Sequence, residues 1–171
     1  KQLVFATGMS GKAVIPNFPG KESFTGDQQH SSTHPGPEAY EGKKAVVIGS
    51  NNSAHDICAA LWEEGADVTM VQRSSTHIVQ SDLLMRHGLS PLYSEEAVAQ
   101  GMTTELADLT FASIPYTVLH DFQKPVYDAI REEDAEFYSD LEKAGFELDY
   151  GADDTGLFMK YLRRGSGYYI D

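Results

Sequence analysis

Lys43-Lys44-Ala45-Val46-Val47-Ile48-Gly49-Ser50-Asn51-Asn52-Ser53-Ala54 is the stretch on which the fold turns. The unbroken apolar run from Ala45 to Ile48 is of the kind found in a strand buried on both faces. Gly49 ends it, and Ser50 to Ser53 make a short polar turn. From Ala54 to Glu64 the apolar residues recur at helical spacing, which predicts an amphipathic helix with Ile57, Cys58, Leu61 and Trp62 on its inner stripe. Gly65 supplies a helix stop, and Val68-Thr69-Met70-Val71 reads as a second buried strand. Residues 45 to 71 thus predict one compact βαβ unit with parallel strands.

Outward from this unit the chain changes character. Leu3-Val4-Phe5-Ala6 reads as an apolar strand, and Gly8 as the turn after it. Ala13-Val14-Ile15-Pro16, Phe18-Pro19-Gly20 and Pro35-Gly36-Pro37 alternate short strand signals with breakers, as in an extended connector laid over a domain surface. His30 and His34 stand four apart, but the residues around them spoil a helix, so spacing alone is weak support for a metal pair. On the other side, residues 75 to about 146 read mostly helical. Leu83-Leu84-Met85 opens an apolar patch, and Glu95–Gln100 and Thr104–Ala112 have helical periodicity. Gly101, Pro115 and Pro125 punctuate the segment. Glu132–Ala144 predicts a charged helix with Phe137, Tyr138 and Leu141 inward, stopped by Gly145. Tyr168-Tyr169-Ile170-Asp171 reads as a further strand. A helical stretch this long between strands exceeds a simple crossover and reads as an insertion over about residues 80–164. Apolar strand signals at both ends predict a piece of a larger protein, because buried strands need partners on both sides.

Composition narrows the class. The 171 residues hold 26 acidic against 13 basic side chains, a net charge of −13, with 41% hydrophobic and 23% charged content. Such a chain has globular values and can bury a core without staples. The acidic surplus argues against a nucleic-acid or anionic-membrane surface, since both reward clustered Lys and Arg. No apolar run approaches the ~18 residues of a membrane span, and no signal peptide opens the chain. The single Cys58 forms no internal disulfide and reads as core packing. A cytoplasmic protein is expected.

Gly49 to Ala54 occupies the place of a dinucleotide-binding fingerprint, after a strand and opening a helix. Gly49 suits the tight turn, and the small Ala54 suits close helix–strand packing. Asn51 stands where a middle glycine is usual. Asn tolerates a left-handed backbone better than most residues, and its amide can donate to a phosphate. The helix start supplies N–H groups and a positive dipole end for an anion. About 20 residues on, an NAD-preferring unit places a carboxylate, whereas this chain reads Gln72-Arg73-Ser74-Ser75. Arg73 can pair with a 2′-phosphate, with the Ser74 hydroxyl donating beside it, so NADPH is the expected cofactor. An exposed Arg in a polar loop is the plainer alternative.

Phe24-Thr25-Gly26-Asp27-Gln28-Gln29-His30 matches the F-x-G-x-x-x-H core of flavin-containing and Baeyer–Villiger monooxygenases. It lies between Leu3–Gly8, similar to that family's L-x-x-A-T-G link, and the turn at Gly49–Asp56, similar to its G-x-G-x-S-A-x-D turn. The chain over residues 3 to 79 therefore resembles the class B flavoprotein monooxygenases. The resemblance implies an α/β fold: a Rossmann-like dinucleotide-binding unit with parallel strands, a helical insertion and an extended N-terminal connector. Residues 1–42 would be the connector from an FAD domain, and 43–171 an NADPH-binding domain truncated at its C-terminus. NADPH would pass hydride to FAD held mostly outside this piece, and the reduced flavin would activate O2 to oxygenate a small organic substrate. The piece alone would be inactive.

Under that resemblance Gly49, Ser50, Asn51, Asn52, Ser53 and Ala54 hold the pyrophosphate, and Arg73 with Ser74 holds the 2′-phosphate. Phe24, Gly26 and His30 form the connector motif, with His30 anchoring backbone rather than moving a proton. His34 fits neither subclass at its place in the motif. N- or S-oxygenation, ketone insertion and decarboxylative oxidation of an indole-pyruvate-like acid all stay open, as does the oligomeric state. Two other readings compete: the NADPH domain of another two-dinucleotide flavoprotein reductase, and a degenerate Rossmann binding module without activity. Tyr40 and Lys44 match a Tyr-x-x-x-Lys pair only by accident, since they precede the turn. Asp153-Asp154 reads as a solvated loop. Lys160, Arg163 and Arg164 form the one basic cluster, near the cofactor phosphates or capping a helix.

Overall fold

The computed structural model describes residues 2–6, 11–164 and 167–170, with the side chain of Arg164 outside the described part. It is a mixed helix and strand structure whose strands pair in parallel. Strand β1 (Lys44–Ile48) leads through a turn into helix α1 (Asn52–Glu63), which returns the chain to β2 (Asp67–Val71). The two strands pair from Lys44↔Asp67 to Ile48↔Val71, so the expected βαβ unit is present. Helix α1 packs on one face of this pair, where Ala45, Val47, Val68 and Met70 are half-buried.

The opposite face is open, contrary to the expectation of strands buried on both faces. Val46, Ile48 and Val71 are 63%, 46% and 41% exposed, so neither strand is buried on both faces among the described residues. An apolar run marks a strand able to be covered twice; whether cover exists depends on what packs there. Trp62 likewise is 72% exposed rather than on the inner stripe, while Leu61 beside it is buried. At 3.6 residues per turn, adjacent residues stand about 100° apart, so Leu61 and Trp62 cannot both face the sheet squarely.

After β2 the chain forms β3 (Ile78–Gln80), a strand within the stretch whose sequence predicts helix. Strand β4 (Tyr168–Ile170) pairs in parallel with β3 from Ile78↔Tyr168 to Gln80↔Ile170, not with the β1–β2 pair. Between them run α2 (Ser81–Leu83), a π-helical turn at Leu84–Leu89, α3 (Ser90–Tyr93), α4 (Glu95–Ala99), α5 (Thr104–Ala112), α6 (Tyr116–Glu133), α7 (Ala135–Lys143) and α8 (Gly156–Arg164). Ser94 and Thr103 cap α4 and α5 by accepting the Ala97 and Leu106 amides. Pro125 does not interrupt the chain as read from sequence but sits inside the 18-residue α6. It forfeits one intrahelical bond, and the buried Leu119, Tyr127 and Ile130 on the same helix offset that loss. The charged helix expected over 132–144 is divided at Asp134, whose carbonyl still accepts the Tyr138 amide.

The core lies against β3, where Val79, Leu83, Tyr127 and Ile130 cluster, with Leu84, Val126, Leu157 and Phe158 packed around them. Two buried tyrosines pin this core by their hydroxyls. Tyr138 donates to the Ile78 carbonyl at 3.0 Å, and Tyr127 accepts from the Phe158 amide at 3.0 Å. At the other end, residues 2–6 form no strand; Leu3, Val4 and Phe5 are each about four-fifths exposed, at 78%, 82% and 81%. Their apolar pattern finds no pairing strand among the described residues, and Gly8 and Asp171 lie outside those residues. Residues 11–43 are extended chain with single 3-10 turns at Lys21–Ser23, Ser31–Thr33 and Pro37–Tyr40.

Candidate functional site

The turn between β1 and α1 is built on Gly49, whose φ of 134° an L side chain rarely adopts. A Cβ there would meet the Ala54 methyl at an ordinary 4.0 Å, so backbone conformation rather than crowding asks for glycine. Asn51 takes the N-cap place with φ −99°, an extended conformation open to any residue. The left-handed tolerance of Asn is therefore not used. Its carbonyl accepts the Ala54 and His55 amides at 2.8 and 3.1 Å. The Asn52 and Ser53 amides have no protein partner among the described residues. Both residues are exposed at the positive end of α1, an arrangement suited to an anion.

Ser50 is buried, and its hydroxyl serves the fold. It donates to the Ser74 carbonyl at 3.0 Å and lies 2.8 Å from the Thr76 hydroxyl, which donates back to the Ser50 carbonyl at 2.6 Å. These bonds bring the Gly49–Ala54 turn and the Arg73–Ser74 loop side by side, although Ser50 and Ser74 are 24 positions apart in the chain. Arg73 and Ser74 are exposed beyond the end of β2, and the Arg73 side chain has no partner among the described residues. A free guanidinium next to a helix start concentrates positive potential in a chain of net charge −13.

The loop after β2 is held from its other side by residues 147–150. The Gln72 amide donates to the Glu147 carbonyl and accepts the Glu147 amide, each at 2.8 Å. Thr76 bridges to Leu148 in parallel fashion. The Ser75 hydroxyl donates to Asp149, and Lys160 from α8 pairs with Asp149 at 2.5 Å while donating to the Ser75 carbonyl at 3.1 Å. Burial pushes the Asp149 carboxyl up, but hydrogen bonds from Lys160, Ser75 and the Gly151 amide outweigh it and hold it down to about 2. Lys160 is thus buried in an ion pair rather than standing in a basic cluster with Arg163, which is exposed and donates to the Tyr116 hydroxyl.

Beneath the loop, His77 is 2% exposed between the rings of Tyr127 and Tyr150, and its Nδ1 has no hydrogen-bond partner among the described residues. Burial pushes it down to about 4, against the attraction of Asp149 and with the help of Lys160 and Arg131. On α1, the His55 ring stacks on Tyr168 at 4.5 Å, and the Tyr168 hydroxyl donates to Asp56 at 2.9 Å. Burial lowers His55, opposed by its bond to the Ser50 carbonyl and by Asp56. Thr76, His77 and Asp149 carry no local signal for this arrangement, because Ser50, the Tyr127 and Tyr150 rings and Ser75, which they meet, lie 26 to 74 residues away.

In the connector, the spacing of Phe24 and Gly26 has a steric basis. A Cβ on Gly26 would sit 2.6 Å from the Phe24 ring, so the ring folds over a residue without a side chain. His30 caps the turn at Ser31–Thr33: its Nδ1 accepts the Ser32 amide at 3.2 Å, and its carbonyl accepts the Thr33 hydroxyl at 2.9 Å. Its ring anchors backbone. His34 stacks on Tyr40 at 5.7 Å, apart from that turn. Asp153 and Asp154 are exposed in a left-handed turn, and no group of three or more metal-ligating side chains occurs among the described residues. No described helix is long and apolar enough to cross a membrane.

Residues 1–126 match the family described as pyridine nucleotide-disulphide oxidoreductase. Among curated proteins, the chain is 31% identical to the probable indole-3-pyruvate monooxygenase YUCCA3 of Arabidopsis thaliana over 71% of its length and 27% of the relative's. It is 30% identical to indole-3-pyruvate monooxygenase YUCCA1 of Oryza sativa subsp. japonica, over 68% of this chain and 28% of that one. The probable indole-3-pyruvate monooxygenase YUCCA4 of Arabidopsis thaliana reaches 36% over 47% of this chain and 20% of its own. The chain spans little more than a quarter of the length of the first two relatives. The chain belongs to the pyridine nucleotide-disulphide oxidoreductase family, as a partial match to its flavin-dependent monooxygenases.

Proposed function

We propose that this chain is the NADPH-binding part of a flavin-dependent monooxygenase, with residues 43–171 as a Rossmann-like unit carrying a helical insertion and residues 1–42 as its connector. The observation that carries the reading is the adjacency of two features: a helix start whose Asn52 and Ser53 amides have no protein partner among the described residues, and an exposed Arg73, likewise unpaired among them, at the neighbouring strand end. A phosphorylated dinucleotide presents anions at matching places, a pyrophosphate and a 2′-phosphate. Gly49, Asn51, Asn52, Ser53 and Ala54 would hold the first through backbone amides and the Asn51 side chain. Ser50 would act by fixing the turn, since its hydroxyl is already engaged. Arg73 would take the second bidentately, with Ser74 donating beside it.

NADPH and FAD together would supply hydride transfer and oxygen activation, chemistry that protein side chains lack. The chain's own residues orient the nucleotide and link it, through Phe24, Gly26 and His30, to the preceding part of the protein. The relatives are named for indole-3-pyruvate. A small aromatic 2-oxo acid oxygenated with O2 in the cytoplasm is accordingly the substrate class proposed for the whole protein.

Calorimetric titration with NADP+ and NAD+ tests the reading. A charge-assisted pair on the 2′-phosphate contributes roughly 1.5–3 kcal/mol, or about 10- to 150-fold in affinity. NADP+ should bind tighter by that factor, and Arg73→Ala should abolish the difference. Preference for NAD+ would overturn the assignment of Arg73.

A further inference from the structure

Arg73 and Ser74 stand between two sets of anchors. Gln72 is tied to Glu147, Ser75 to Asp149 and Lys160, and Thr76 to Ser50. The two exposed side chains therefore project from a loop whose neighbours on both sides are immobilised. The unusual member of the set is Lys160, a 7%-exposed ammonium whose charge is met by Asp149 alone among the carboxylates of the described residues. A buried ion pair contributes little net stability over an apolar pair of similar shape, but it fixes one arrangement of what it bonds. Both partners here bond Ser75, Asp149 through its hydroxyl and Lys160 through its carbonyl.

We propose that Asp149 and Lys160 are positioning residues for nucleotide discrimination: the pair clamps Ser75 and so holds Arg73 and Ser74 where a 2′-phosphate meets them. This rests on the nucleotide reading above. The clamp comes from the far side of the helical stretch, so the stretch between β3 and β4 contributes to cofactor choice without touching the cofactor. Preorganising the loop lowers the ordering cost of binding the phosphate and leaves the rest of the dinucleotide unaffected.

The test uses this chain with NADP+ and NAD+ as probes. Asp149→Asn should weaken NADP+ roughly tenfold while NAD+ stays within about twofold. In an Arg73→Ala background the same substitution should lose most of its effect on NADP+, because the larger of the two contacts that the clamp positions is already gone. Ser75→Ala, which leaves the ion pair intact and removes only the hydroxyl link, should reproduce part of the loss should Asp149→Asn fail to fold. Equal weakening of both nucleotides, or a full additive loss on top of Arg73→Ala, would overturn the proposal. Amide hydrogen exchange in the nucleotide-free chain separates the clamp from the nucleotide reading. Residues 73–76 should exchange roughly tenfold faster in Asp149→Asn or Ser75→Ala. If the unaltered chain does not discriminate NADP+ from NAD+, the nucleotide reading fails while faster exchange still supports the clamp. Unchanged protection at 73–76 overturns the clamp whatever the titrations give.

Discussion

Gly49 shows what one residue can carry. Its φ of 134° lies where a side chain strains the backbone, and the turn it forms sets the start of α1 beside Ser74. Gly49→Ala is expected to cost roughly 1–3 kcal/mol of stability, the usual charge for such a conformation in a non-glycine residue. Urea unfolding of the variant reads this directly, and an unchanged midpoint would show that the turn relaxes at no cost. The same turn was readable in the sequence because its requirement is local. Asn51 was not, since its extended φ of −99° depends on how the Asn51 carbonyl caps α1. Ser50 looked like a phosphate contact and proved to be a strut, a role set by Thr76 from 26 positions away.

At the scale of elements, α1 and the β1–β2 pair make one unit whose buried contact centres on Leu61. That residue is 3% exposed, and Leu61→Ala should cost about 2–5 kcal/mol, by lost transfer energy and the cavity left behind. Trp62→Ala, one position on and 72% exposed, should cost well under half as much. Thermal or urea unfolding of the two variants compares them, and equal losses would mean that α1 is rotated from the described orientation. Periodicity predicted this helix to within two residues of its observed start and one of its end. It could not say which side of a broad apolar stripe meets the sheet. Strand β3 was missed for a related reason. Three residues, Ile78–Gln80, carry no alternation to recognise, and their strand character comes from pairing with β4 about 90 residues later.

Across the whole molecule, the two halves of the described structure meet around a polar layer of the buried Ser50, Thr76, His77 and Lys160 with the half-buried Asp149. Its response to acid follows from His77. The folded protein keeps that ring neutral down to about 4, whereas an unfolded chain protonates it near 6.5. The unfolded state thus binds the extra proton, and stability falls as the pH drops from about 6.5 to 4, by at most ~1.4 kcal/mol per pH unit. Asp149, held at about 2, keeps its contribution through this range and loses it only below the ordinary carboxylate value. His77→Phe, retaining a ring between Tyr127 and Tyr150, should flatten the decline when urea unfolding is measured between pH 7 and pH 4.5. A variant as acid-sensitive as the parent would overturn the assignment to His77 and point to His55, the other histidine that burial lowers.

The sequence by itself determined the βαβ unit, the glycine turn and the exposed Arg73, and with the connector motif it led to the family. Each is a local pattern: an apolar run, a helical period, a backbone that only glycine adopts, a ring folded over Gly26. The tertiary structure decided the rest. It left one face of β1 and β2 open, drew β3 and β4 together, and buried Lys160 against Asp149. It also set the loop of Arg73 between Ser50 and residues 147–149. Those outcomes depend on partners up to about 90 residues apart, and burial and charge pairing at that separation exist only once the chain has closed on itself.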